Sequence, residues 1–226
     1  MNERISRLRK ESFETRPSIS IERAVLVTEY YEANAGKFST PVMRAMNFKN
    51  LCEKKTIFIG ADELIVGERG PVPRSVSTFP ELNCHSREDL EILNSRKMTN
   101  YSVSPEDIDL YAEKVIPYWR GRSMRDKAFA LIPERWKALY EAGLFTEFME
   151  QRAPGHTALD GTIYRKGMLD FKREIAESKA KLDYLNDPHA TEKAEELTAM
   201  DISCDAAILF AERHADLAEK MAATET

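Results

Sequence analysis

No two of the three cysteines, Cys52, Cys84 and Cys204, lie near one another in the sequence. Their odd number and wide spacing give neither a disulfide framework nor a metal-ligand pair, so reduced thiols in a cytosolic compartment are expected. Positive charge is not in excess: 33 Lys and Arg face 38 Asp and Glu, for a net charge of -5. That balance removes the electrostatic case for binding nucleic acid or an anionic membrane surface. The longest apolar run, Ala206 to Ala211, is too short to span a bilayer. The first residues, MNERISRLRKESFE, lack the apolar stretch of a secretory signal. Gly67, Gly70 and Gly121 are isolated, and nothing matches a dinucleotide fingerprint or a P-loop. There is no internal repeat and no low-complexity segment.

What is present suits a folded protein. The chain has 226 residues, 42% hydrophobic and 31% charged, enough to bury a core. Helical spacing dominates. Residues 3–15 form a short surface helix that Pro17 stops. Ser20 reads as the cap of a helix that runs toward Gly36, and Thr40-Pro41 opens another that buries Val42, Ala45, Phe48 and Cys52. Ile57–Ile59 and Leu64–Val66 are short apolar runs around a turn and read as strands or extended segments. Glu68 to Pro80, with its three prolines, reads as an irregular loop. Ser104-Pro105 starts a further helix, Pro117 breaks its pattern, and helices resume at Met124–Leu131 and Pro133–Ala142 with Gly143 as the stop. Two amphipathic helices, joined at Asn186-Asp187-Pro188, form a hairpin over about 165–223. The expected fold is mainly α, a helical layer with one or two short strands.

The least scaffold-like stretch is Phe145–Tyr164, FTEFMEQRAPGHTALDGTIY. His156 follows a Pro-Gly turn, and a histidine there can donate or accept a proton near neutral pH. The same residue also reads as a surface or loop-packing histidine. Phe145 and Phe148, three apart, read on spacing alone as core. Cys84-His85 reads as two unrelated loop residues, and His189 and His214 as structural. Arg74, Arg120, Arg122 and Arg152 could each bind an anion, although a solvated or paired arginine is the ordinary case.

Several stretches combine into a known pattern. Residues 19–31 (ISIERAVLVTEYY), residues 41–70, the PR…STFPE segment from Pro73 to Glu81, and residues 116–126 (IPYWRGRSMRD) resemble the N-terminal part of glycyl radical enzymes. These are the relatives of pyruvate formate-lyase, and the resemblance covers nearly all of 1–226. ELNCHSREDLEILNSR (81–96) and FTEFMEQRAPGHT (145–157) are most similar to the branch that dehydrates trans-4-hydroxy-L-proline to 1-pyrroline-5-carboxylate. Diol dehydratases, C–S lyases and formate-lyase-like enzymes are the alternatives within the family. A non-catalytic helical module is the alternative outside it.

The resemblance implies the N-terminal portion of a ten-stranded α/β barrel wrapped by helices. It implies a glycyl radical installed by a radical S-adenosylmethionine activating enzyme, a homodimer of the full-length protein and a small-molecule substrate. Nucleic acid and membrane are not among the implied partners. Neither the thiyl cysteine loop nor the radical glycine motif is matched here, so these residues alone are expected to bind no cofactor and to be inactive. The positions that carry over are Phe148, which would pack on the substrate ring, and His156, which would serve the departing hydroxyl as a catalytic and substrate-binding group. Inward apolar faces left uncovered, such as Ile208 and Ala211, would promote self-association.

Overall fold

The computed structural model describes residues 2–60, 63–64, 66, 70–144 and 160–224. Its first helix, α1 (Glu3–Glu14), is capped by Asn2, whose side chain accepts from the Arg4 amide at 2.8 Å. Such a cap satisfies donors that have no intrahelical partner. Arg16 follows and donates to Asn100 at 2.8 Å and to the Asn94 carbonyl at 2.6 Å.

Two three-residue strands form the sheet, β1 (Ser18–Ser20) and β2 (Ser75–Ser77). They run parallel in the register Ser18↔Ser75, Ile19↔Val76, Ser20↔Ser77. Ser18 also bridges to Ser102, so β1 lies between two neighbours. β2 sits inside the proline-rich segment expected to be irregular, whereas the described residues of 57–66 form no strand. Pro73 and Pro80 flank β2 and remove none of its own donors, so three residues between them are free to pair. Gly70 supports this arrangement. A Cβ there would lie 2.5 Å from the Ser75 Cβ, closer than real side chains come.

Around the sheet pack α2 (Glu22–Asn34), α3 (Thr40–Lys54) and α4 (Arg87–Ser95). Ser20 belongs to β1 rather than capping α2, although its hydroxyl still accepts from the Glu22 amide at 3.3 Å. Next come α5 (Pro105–Leu110), a π-helical turn (Tyr111–Val115) and α6 (Ile116–Trp119). Pro117 therefore does not end the helix. The widened turn just before it accommodates a residue with no N–H and a ring that would clash with a carbonyl one turn back. This places Tyr111, Val115 and Trp119 in the main core with Ile19, Ala24, Val27, Leu51 and Leu90. The Trp119 indole donates to the Thr28 hydroxyl at 2.9 Å, and that hydroxyl donates to the Ala24 carbonyl at 2.7 Å. A buried polar pair is thus fully used.

Helices α7 (Met124–Leu131), α8 (Glu134–Glu141), α9 (Met168–Ala180) and the 35-residue α10 (Ala190–Thr224) complete the described fold. Val42 and Ala45 on α3 meet Ala199 on α10 in a second apolar cluster. Lys172 on α9 bridges Asp201 and Asp205 on α10, each at 2.8 Å. Further along, the Arg213 guanidinium donates to the Cys52 carbonyl and to the Lys55 carbonyl at 2.9 Å. A cation there satisfies the open carbonyls at the end of α3 and complements its dipole.

Candidate functional site

Phe148 and His156 lie outside the described residues, as does Phe145. The supports on either side of their segment are described. On the N-terminal side α8 ends through bonds from the Gly143 amide to Tyr140 O at 2.9 Å and from the Leu144 amide to Leu139 O at 3.1 Å. Gly143 takes φ +69°, a left-handed value that favours glycine. Tyr140 ties α8 to α7: its hydroxyl accepts from Arg125 at 3.0 Å and its ring meets Phe129 edge-on at 5.0 Å. The Met124 and Arg125 amides then donate to the Glu81 and Leu82 carbonyls at 2.9 and 3.0 Å. On the C-terminal side a 3-10 turn (Asp160–Tyr164) leads to α9, where Asp170 caps the Gly167 amide at 3.0 Å.

Glu81 connects this support to a second feature. Arg23 forms an ion pair with Glu81, donates to the Thr78 carbonyl at 3.2 Å and stacks its guanidinium 4.0 Å from the Phe79 ring centre. Arg23 and Phe79 line one side of a cavity of about 920 Å³ between α3, β2 and the second half of α10. Phe48 and Phe210 form much of its apolar wall. Phe48, which helical spacing places in the core, is 44% exposed and Phe79 is 43% exposed. Spacing showed that Phe48 lies on the apolar face of α3. It could not show that this part of the face meets open space rather than a neighbour.

The polar groups of the cavity are largely engaged. His214 is buried and its Nδ1 donates to the Phe210 carbonyl at 2.8 Å. Burial lowers the pKa of Lys55, with the Glu22 carboxylate opposing. Burial raises that of Cys52, so its thiol stays protonated and unreactive. Among the described residues no cluster of histidine, cysteine and carboxylate could hold a metal ion.

Cys84 and His85 both lie in an irregular segment, as read from the sequence, and both are partly buried. The Cys84 thiol lies 3.9 Å from the Tyr111 hydroxyl beside the main core, and burial pushes its pKa up to about 11. Burial also lowers the pKa of His85, against the pull of Asp89. The folded chain therefore holds this imidazole neutral, and the unfolded chain binds more protons as pH falls through the ordinary histidine range. Its contribution to stability is complete above about pH 6.5 and is lost below it. Lowering the pH from 7.5 to 5.5 should lower the thermal midpoint, and His85→Asn should flatten that slope. An unchanged slope in the variant would show that other groups carry it. Asp170 and Asp187, whose pKa values are lowered by bonds from Gly167 and Lys193, act only at more acidic pH.

The family model for pyruvate formate lyase-like proteins matches residues 1–226. The chain belongs to the pyruvate formate lyase-like family. It is 48% identical over 224 residues to trans-4-hydroxy-L-proline dehydratase of Clostridioides difficile, covering 99% of this chain and 28% of that relative. It is 31% identical to an isethionate sulfite-lyase of Nitratidesulfovibrio vulgaris, covering 96% of this chain and 27% of the relative. The fold matches hydroxyproline dehydratase from C. difficile, solved with trans-4-hydroxy-L-proline bound, with a TM-score of 0.91 over all of this chain and 29% of that one. A glycerol dehydratase from Clostridium butyricum, solved with glycerol bound, follows at 0.85 and 28% identity, again over 29% of its length. The chain thus spans under a third of the family members it matches. No described helix is long and apolar enough to cross a membrane.

Proposed function

We propose that these residues form the N-terminal part of a glycyl radical dehydratase that removes water from trans-4-hydroxy-L-proline to give 1-pyrroline-5-carboxylate. The observation that carries this reading is the 48% identity to the hydroxyproline enzyme over nearly the whole chain. Several sulfite-lyases and other dehydratases of the family are 25% to 32% identical to this chain. The radical chemistry belongs to polypeptide outside these residues, after activation by a radical S-adenosylmethionine enzyme. The full-length protein is a cytoplasmic homodimer.

The contribution of this chain is to hold the substrate. Phe148 packs on the apolar face of the pyrrolidine ring. His156 donates a hydrogen bond to the 4-hydroxyl and passes a proton to that oxygen as the C–O bond breaks, because hydroxide is a poor leaving group. The segment that carries both residues joins the described end of α8 to the 3-10 turn.

The test is a substrate panel. The activated, family-length protein should consume trans-4-hydroxy-L-proline and leave isethionate and propane-1,2-diol untouched. Turnover of either of the others in place of hydroxyproline would overturn the substrate reading while leaving the family standing.

A further inference from the structure

Helices α7 and α8 differ from the rest of the fold in how they are held. Each is eight residues long, and neither has a buried residue. Helices this short are marginal in water and usually gain their stability by packing an apolar face. Here Met124, Leu131 and Trp136 are each more than half exposed.

Arg125 supplies a joint in place of that packing. Its amide donates to the Leu82 carbonyl at 3.0 Å, which fastens the start of α7 to the turn after β2. That turn is tied to α2 through the ion pair of Glu81 with Arg23. The Arg125 guanidinium lies 4.3 Å from the ring centre of Phe129 on its own helix and 5.3 Å from that of Tyr140 on α8. It also donates to the Tyr140 hydroxyl at 3.0 Å, and the two rings meet edge-on at 5.0 Å. A planar cation stacked on rings and hydrogen-bonded to one of them fixes direction as well as distance. One residue therefore joins the turn, α7 and α8. Tyr140 stands three residues before Gly143, where α8 stops, and Leu144 leads in sequence into the stretch that carries Phe148 and His156.

We propose that Arg125 is a positioning residue for substrate binding, acting through Tyr140 and α8 on Phe148 and His156. The proposal rests on the reading of those two residues as substrate contacts. It adds that their placement depends on a guanidinium that does not itself touch the substrate.

Calorimetric titration of the family-length protein with trans-4-hydroxy-L-proline tests it. The dissociation constant reports the fit of the site, and the stoichiometry reports the fraction of protein that is folded. A merely structural role for Arg125 would lower the stoichiometry and leave the constant alone. Arg125→Ala should weaken binding about 10-fold, equivalent to ~1.4 kcal/mol. Tyr140→Phe keeps the rings together and removes only the hydroxyl. It should weaken binding less but in the same direction, and it carries the test if Arg125→Ala does not fold. In a Phe148→Ala/His156→Gln background, Arg125→Ala should add less than about 2-fold, because the groups it places are gone and coupled residues are not additive. Unchanged binding in both single variants, or an equal loss in both backgrounds, would overturn the inference. If the Phe148→Ala/His156→Gln protein binds as tightly as the unsubstituted one, the reading of those residues fails and this inference with it. Weak binding by that double variant, with normal binding by Arg125→Ala and Tyr140→Phe, would overturn the inference alone.

Discussion

Changing His156 to glutamine should lower kcat for trans-4-hydroxy-L-proline by about 100- to 10,000-fold in the activated family-length protein, the range typical of a positioned proton donor. Glutamine keeps a hydrogen bond to the hydroxyl but cannot pass it a proton. The loss should therefore fall mainly on kcat, with KM changed far less. Phe148→Ala should show the reverse balance, because an apolar contact to the ring is made equally before and during the reaction. Steady-state kinetics on the two variants separates the roles. A His156→Gln enzyme with normal kcat and a raised KM would make this residue a binding group only. A variant unchanged in both would return it to the loop-packing role that the turn alone allows.

Replacing Trp119 by alanine should destabilise the folded chain by about 3–5 kcal/mol, the range for deleting a large buried aromatic side chain. Trp119 packs edge-on against Tyr31 and Tyr118, with ring centres 5.7 and 5.1 Å apart, and its indole is a partner of Thr28. The loss combines missing contacts with removal of the indole donor to the Thr28 oxygen, whose own bond to the Ala24 carbonyl remains. Trp119→Phe fills most of the space and forfeits chiefly the hydrogen bond, so it should cost only about 1–2 kcal/mol more than nothing. Urea unfolding of the two variants checks the division. Equal losses would mean that the Thr28 bond, rather than the packing, holds this part of the core. Because α2 and the helix from Pro105 to Trp119 meet here, a large loss should be accompanied by cooperative unfolding of the whole β1-centred core.

Much of this fold could be read from local chemistry. Ser104-Pro105 and Thr40-Pro41 mark helix starts because the cap and the fixed φ of proline act within a few residues. Gly143 marks a stop for the same local reason. The strands could not be read in this way. Three residues are too few for alternation to show, and the partner of Ser18 is Ser75, far along the chain. Pro117 misled because a proline normally ends a helix, whereas here a π-helical turn just before it lets the helix continue and carries Tyr111 and Val115 into the core. Phe48 misled for a related reason, since helical spacing identifies a face but not its neighbour. His156 and Phe148 gain their roles from resemblance. Their local sequence, a turn and an aromatic pair, supports either chemistry or simple packing.

We propose that Phe148 and His156 form one wall of a hydroxyproline pocket. A crystal structure of the family-length protein with trans-4-hydroxy-L-proline bound tests it most directly. The His156 ring should lie with one nitrogen within hydrogen-bonding reach of the 4-hydroxyl, roughly 2.6–3.2 Å, and the Phe148 ring should face the pyrrolidine. A complex in which the substrate binds and either side chain points away from it would contradict that role.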